Sequence, residues 1–265
     1  MGNSLTYFGV DPIYFQSKTF NAADVSRPLV YDFKLFEKYQ DKLSSLKTIV
    51  LPIAFNSFSG DPKSDLKNSP FGTFNYIIYY GFNEPLTLTN HSEILSMPLA
   101  NVRKKVKLYL DKKSKGDSNY GWSELGWGNY YSSKHKMDLK KEDKNNKFEK
   151  RGIKEDRIDL NSKALSEFLD QLSGKGVRVV LVTPPGYNFS SNSAYYKIKD
   201  KTIEIINTLT EQYDYCDYYN MSDDKTFNIK DFYDRRHLNE LGAKKFSLLL
   251  DSIVEMKKPT SQNQH

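Results

Sequence analysis

Three side chains from opposite ends of the chain have the types and spacing for acyl chemistry. Asp234 stands three residues before His237 in Asp234-Arg235-Arg236-His237-Leu238-Asn239, with Gly242 and an apolar-periodic run behind. A carboxylate at that spacing can hold one imidazole nitrogen and leave the other free to take a proton from a nucleophile. Far upstream, Gly2-Asn3-Ser4 offers a hydroxyl. A serine hydroxyl is a weak nucleophile until a positioned base removes its proton, so Ser4 needs His237 and His237 needs Asp234. The bland alternative for Asp234 and His237 is a capping cluster for the last helix, a role that Asn239 can fill by itself. For Ser4 it is an ordinary polar residue in a ragged N-terminus. Met1-Gly2-Asn3-Ser4-Leu5-Thr6 also fits the myristoylation pattern, with Gly2 exposed once Met1 is removed.

The elements that must carry these groups follow from hydrophobic spacing. Leu29, Phe33, Phe36 and Leu43 recur near helical period behind Ser26 and Pro28, and Thr48 to Ile53 reads as a short buried strand. Leu165, Phe168, Leu169 and Leu172 make a helix stripe closed by Gly174 and Gly176, where a left-handed cap is expected. Val177 to Val182 is continuously apolar, as parallel strands covered on both faces are, and stops at Thr183-Pro184-Pro185-Gly186. A helix over residues 200–213, a strand at Tyr215 to Tyr219 and a last helix through Leu241, Phe246, Leu249, Leu250 and Ile253 complete the alternation. Strand and helix in turn predict a three-layer α/β/α domain with a parallel sheet. Its chemistry is expected beyond the carboxyl ends of the strands, where residues 54–57, the Thr183 turn and the Asp234–His237 loop converge.

That domain is assigned to residues 1–59 and 158–256, interrupted by an insertion and charged linker at 60–157 and followed by a frayed tail at 257–265. Within the insertion, Val102, Val106 and Leu110 suggest a basic amphipathic helix, and Gly121 to Tyr131 is rich in Gly and Trp.

An early Gly-Asn-Ser, then Gly9-Val10-Asp11-Pro12 and Asn21-Ala22-Ala23-Asp24, and a late Asp-x-x-His-Leu-Asn together resemble the SGNH (GDSL-like) hydrolase family. The likeness is greatest to members that move acyl groups on cell-surface glycans. It covers residues 1–57 and 160–255. It implies a flavodoxin-like topology, Ser4 as nucleophile, His237 as base, Asp234 as its orienter, and an acyl-serine intermediate. It further implies an oxyanion hole from the Ser4 main-chain N–H, the Asn56 side chain and a main-chain N–H near Asp24 or Ser26. The chain departs from the family here: Asp24-Val25-Ser26 lacks the usual Gly, and Ala54-Phe55-Asn56-Ser57 keeps the Asn without its Gly and Asp. Asn56 reads equally as a turn residue at a strand end. The family also places a buried strand before the nucleophile, so the natural chain is expected to begin further upstream, with room for a membrane anchor. The implied substrate is an envelope polysaccharide, with water or a sugar hydroxyl receiving the acyl group; the implied place is the bacterial cell envelope, with the cytoplasm as alternative.

Composition bounds the rest. The chain of 265 residues is 38% hydrophobic and 14% aromatic, enough for a globular core. A lone Cys216 excludes a disulfide framework and a cysteine-based metal site. The net charge of +6 favours anionic partners, an acidic polysaccharide among them. Its main source, Lys134 to Arg157, has ten Lys or Arg against six Asp or Glu; with signs interleaved and few aromatics it reads as a solvated linker. No nucleic-acid motif is present, and no apolar run is long enough for a membrane span. His91 and His135 lack metal-ligand spacing and read as surface residues, and no Gly-rich phosphate loop or other cofactor motif is found. Trp122 and Trp127 could stack on sugar rings or form the insertion's own small core. The competing reading of the whole is a non-catalytic glycan-binding or assembly module on the same fold, which would use these tryptophans for contact.

Overall fold

The computed structural model describes residues 1–58, 80–82, 121–139, 155–187 and 193–256. His91, the helix expected around Val106, and the tail lie outside them. Three parallel strands, β1 (Thr48–Pro52), β2 (Arg178–Thr183) and β3 (Cys216–Asn220), pair in the order β1-β2-β3. Thr48 faces Arg178 and Val179 faces Cys216 in the two registers.

β1 and β2 are apolar in their centres because helices cover both faces, whereas β3, Cys-Asp-Tyr-Tyr-Asn, is only partly buried. Ile49, Leu51, Val179 and Leu181 enter one cluster with Phe33 and Phe36 of α2 (Leu29–Tyr39), Phe168 and Leu169 of α4 (Glu155–Leu172) and Ile206 of α5 (Ser193–Gln212). The alternate residues Val180 and Val182 enter a second cluster with Phe246, Leu250 and Ile253 of α6 (Glu240–Glu255). This is the period-2 alternation of a pleated strand, with each large side chain so buried contributing about 1.5–3 kcal/mol. Phe33 stacks on Phe168 at 4.3 Å and locks α2 to α4. The chain is thus a mixed α/β protein with a small parallel sheet between helices.

Local chemistry sets the element ends. Pro28 stands at the N-cap of α2, and Gly174 and Gly176, at φ 72° and 66°, take the left-handed turn behind α4. Strand limits fall within a residue of those expected from sequence. Glu155 already belongs to α4, so that helix starts inside the stretch read as linker, and α5 starts at Ser193 rather than near residue 200. Arg178 binds the Asp217 carboxylate through Nε at 2.7 Å and gives Nη1 to the carbonyls of Ile253, Val254 and Met256. It therefore caps the far end of α6 and fixes to the sheet the helix that follows the His237 loop.

Candidate active site

Ser4 opens α1 (Ser4–Gly9), two residues after Gly2, which packs on Pro52 at the end of β1. Asn3 caps this short helix by accepting from Leu5 N at 3.0 Å. Gly2 has φ 123°, and a Cβ there would fall 2.3 Å from Pro52 Cγ, so glycine before Asn-Ser is a steric requirement. Its main-chain N–H donates to buried Asp32 Oδ1 at 2.9 Å, and Asp32 pairs with equally buried Arg27 at 3.3 Å. The Gly2-Asn3-Ser4 turn is thereby tied to the first turn of α2.

Asn21 fixes the other end of α1. Its amide donates to Thr6 O at 2.9 Å and Val10 O at 2.7 Å, and its Oδ1 accepts from Ala23 N. Asn21→Ala would take the amide donor from Val10 O and leave Thr6 O with Val10 N alone, and we expect a loss of about 1–3 kcal/mol in a denaturant titration. Ser4 reactivity should fall with it.

The second half of the site is the loop between a 3-10 turn at Ile229–Asp231 and α6. Asn239 is the N-cap of α6, accepting from Leu241 N and Gly242 N, and its amide donates to Lys230 O and Phe232 O. Tyr233 N donates to His237 O at 2.9 Å, and Phe232 bridges Leu238. Since Asn239 alone caps the helix, Asp234 and His237 are available for something else.

They line up with Ser4. Ser4 Oγ lies 2.9 Å from His237 Nε2, and His237 Nδ1 lies 2.8 Å from Asp234 Oδ2. Asp234 Oδ1 also accepts from the main-chain N–H of Arg236 and of His237, each at 2.8 Å. Burial pushes the Asp234 carboxyl up, but its bonds to the His237 ring and to these two N–H groups together outweigh burial and hold it below the usual 3.8. An ionised Asp234 can only accept, so Nδ1 carries the ring proton and Nε2 of the neutral ring faces the Ser4 hydroxyl as acceptor. A carboxyl held below its unfolded value stabilises the fold above that value and loses the contribution as pH falls through the folded one. Wild type should therefore lose more stability than Asp234→Asn between about pH 5 and about pH 3, as followed by urea midpoints.

The segment Gly121–Leu139 covers this triad, which composition alone did not foretell. Trp127 Nε1 donates to Phe8 O at 2.9 Å, Gly128 N to Tyr7 O at 2.8 Å, and Asn21 N to Leu125 O at 2.9 Å. A Cβ at Gly128 would meet Tyr7 Cε1 at 2.3 Å, so this close crossing needs glycine. Ser133 gives its N–H and hydroxyl to the two oxygens of Glu240 in α6 at 2.6 and 2.5 Å. Tyr131 stacks between Phe8 (3.9 Å) and Tyr233 (4.0 Å) and meets the His237 ring edge-on at 5.3 Å. Burial, aided by Asp234 and Tyr233, raises the Tyr131 phenol to about 12, so it stays neutral beside the imidazole.

The remaining expected site residues divide. The half-buried Trp127 anchors its segment on α1, whereas Trp122 is 55% exposed. Among the described residues, the segment around Trp127 packs on α1 and, through Ser133, on α6. Asn56 lies in the turn α3 (Phe55–Phe58) directly after β1, and its side chain falls outside the described residues. The Asp24 main-chain N–H is taken by Gly2 O at 3.0 Å, which removes it as an oxyanion donor. Ser26 is exposed at φ 58° and makes no hydrogen bond to Ser4. The Ser4 main-chain N–H, at the first position of α1, has no hydrogen-bond partner among the described residues. His135 is exposed, as expected, yet stacks on Tyr233 at 4.3 Å. Among the described residues, no group of three or more His, Cys, Asp or Glu could hold a metal ion, and no helix is long and apolar enough to cross a membrane. The chain matches no protein-family model, no curated protein and no solved structure.

Proposed function

We propose that this protein is a serine acyl-ester enzyme of the SGNH (GDSL-like) type, acting on O-acetyl groups of a cell-envelope polysaccharide. The observation that carries the reading is the unbroken line from Ser4 Oγ through His237 to Asp234, at 2.9 and 2.8 Å. In the reaction Ser4 Oγ attacks the ester carbonyl while its proton passes to His237 Nε2. The tetrahedral oxyanion takes hydrogen bonds from the Ser4 N–H and further donors, with Asn56 the side-chain candidate. His237 returns the proton to the leaving alkoxide, and an acyl-serine ester remains. Water or a sugar hydroxyl then gives its proton to His237 and attacks the acyl carbon, and Ser4 is released. The SGNH reading places the sheet and its covering helices in the three-layer, flavodoxin-like arrangement. The glycan and the envelope location rest on the resemblance of the Gly-Asn-Ser and Asp-x-x-His-Leu-Asn blocks.

A fluorophosphonate probe tests the chemistry. It should label the protein once, and mass spectrometry of the digest should place the adduct on Ser4. A folded protein that resists labelling would instead support the glycan-binding or assembly module. Turnover of p-nitrophenyl acetate with and without oligosaccharide distinguishes transfer from hydrolysis: acetylated sugar appears, with a faster release, only if the sugar is the acceptor.

A further inference from the structure

Ser4 and His237 stand on elements whose direct contact lies away from the pair. α1 meets α6 at its far end, where a Cβ on Gly9 would lie 3.6 Å from Leu238 Cδ1 and 3.7 Å from Phe246 Cδ1. Ser4 is the first residue of α1 and Gly9 the last, about 7.5 Å apart at 1.5 Å per residue. A contact at Gly9 leaves the Ser4 end free to swing. The bond from Gly2 N–H to Asp32 steadies that end against α2, not against the Asp234–His237 loop.

A column of stacked rings supplies the missing tie. Phe8, one helical turn after Ser4 and on the same side of α1, stacks on Tyr131 at 3.9 Å and 25°. Tyr131 stacks on Tyr233 at 4.0 Å and 3°, and Tyr233 on His135 at 4.3 Å. Tyr233 directly precedes Asp234, and its N–H closes the loop on His237 O at 2.9 Å. With both faces covered, Tyr131 meets the imidazole by its edge, at 5.3 Å and 62°; Phe8 meets it at 6.0 Å and 87°. The segment that carries Tyr131 is fixed on either side of it: Gly128 N donates to Tyr7 O of α1, and Ser133 binds Glu240 of α6. The Tyr131 hydroxyl makes no hydrogen bond among the described residues, so the ring is the engaged part.

We propose that Tyr131 is a positioning residue, whose ring wedges between Phe8 of α1 and Tyr233 of the His237 loop and so sets Ser4 Oγ against His237 Nε2. The inference rests on the acyl-ester reading and adds that a third segment of the chain holds the pair in line. Stacked rings at these distances attract and interlock, and a displacement of about 1 Å between reacting groups costs about 10²-fold in rate. A wedge aligns the pair without itself binding the ester, so its loss should lower kcat and leave KM nearly unchanged.

Side-chain replacements test this, read by p-nitrophenyl acetate turnover and fluorophosphonate labelling well below every melting midpoint. Tyr131→Leu, which fills space without a ring, should lower kcat and the labelling rate about 10²-fold, with KM within about twofold. Its labelling should still run to one adduct per chain, as a folded protein requires. Tyr131→Phe keeps the stack and should restore kcat to within about threefold of wild type. Tyr233→Leu removes the other wall of the wedge and should give the same split between kcat and KM; it carries the test if Tyr131→Leu melts early. Wild-type kcat in the leucine variants, a loss in Tyr131→Phe as deep as in Tyr131→Leu, or a raised KM at unchanged kcat would overturn the proposal. Wild type that resists labelling would overturn the acyl-ester reading, and this inference with it, whereas each result above overturns the wedge alone.

Discussion

Ser4→Ala and His237→Ala should each lower ester turnover by about 10⁴-fold or more, and the double variant should be no worse than the poorer single one. In the proposed mechanism the hydroxyl and the imidazole, 2.9 Å apart, act as one unit, so removal of either leaves the other without work. Asp234→Asn should cost a comparable or somewhat smaller factor. An amide at 2.8 Å from Nδ1 can present its N–H there, which drives the ring proton to Nε2 and turns the base into a donor towards Ser4. Progress curves with p-nitrophenyl acetate for the four proteins check the pattern. Additive losses, with the double variant far below either single one, would mean that Ser4 and His237 do not share a step.

The largest effect on stability is expected at Gly242. In an exposed helix interior, Gly→Ala gains up to about 1 kcal/mol. Here a Cβ would fall 2.1 Å from Asp231 O and 2.8 Å from Leu238 Cδ2. The carbonyl cannot yield easily, because it accepts from Asn239 N at 3.0 Å while the Asn239 amide holds the carbonyls on either side of it. Overpacking against main chain should outweigh helix propensity, for a net loss of about 2–3 kcal/mol in a guanidinium titration. Because Asp231 lies three residues before Asp234, the displacement should also reach the triad and slow Ser4 labelling. An unchanged or raised midpoint would contradict the packing.

Much of this site was legible in the sequence because its parts are local and chemically distinctive. Asp234 and His237 sit within one short loop, and Asn239 and Gly242 mark the start of α6 by the ordinary logic of caps and close approach. β1 and β2 were legible because burial on both faces leaves an apolar run in each. What escaped is what depends on distant partners. Tyr131 is one of 19 tyrosines, and nothing in its neighbours announces that it will stand edge-on to His237. Glu240 looks like a first-turn acid that favours the helix dipole; only the fold gives it Ser133. Asn21 did carry a signal, in the Asn21-Ala22-Ala23-Asp24 block, but its task of holding the two carbonyls of α1 appears only in three dimensions. Only the last three residues of the charged stretch, Glu155 to Arg157, differ from the expectation, since they already belong to α4. Interleaved signs and helical propensity look alike in a linker and in the first turns of α4.

The separation of 233 residues between Ser4 and His237 has a consequence for how the protein is made. Synthesis delivers the serine first and the histidine last. Until α6 leaves the ribosome and docks against α1, the hydroxyl has no base beside it and is no more reactive than any surface serine. On the proposed acyl-ester reading, reactivity would thus arrive only with the closing contacts of folding, and a chain cut short before those contacts would be inert.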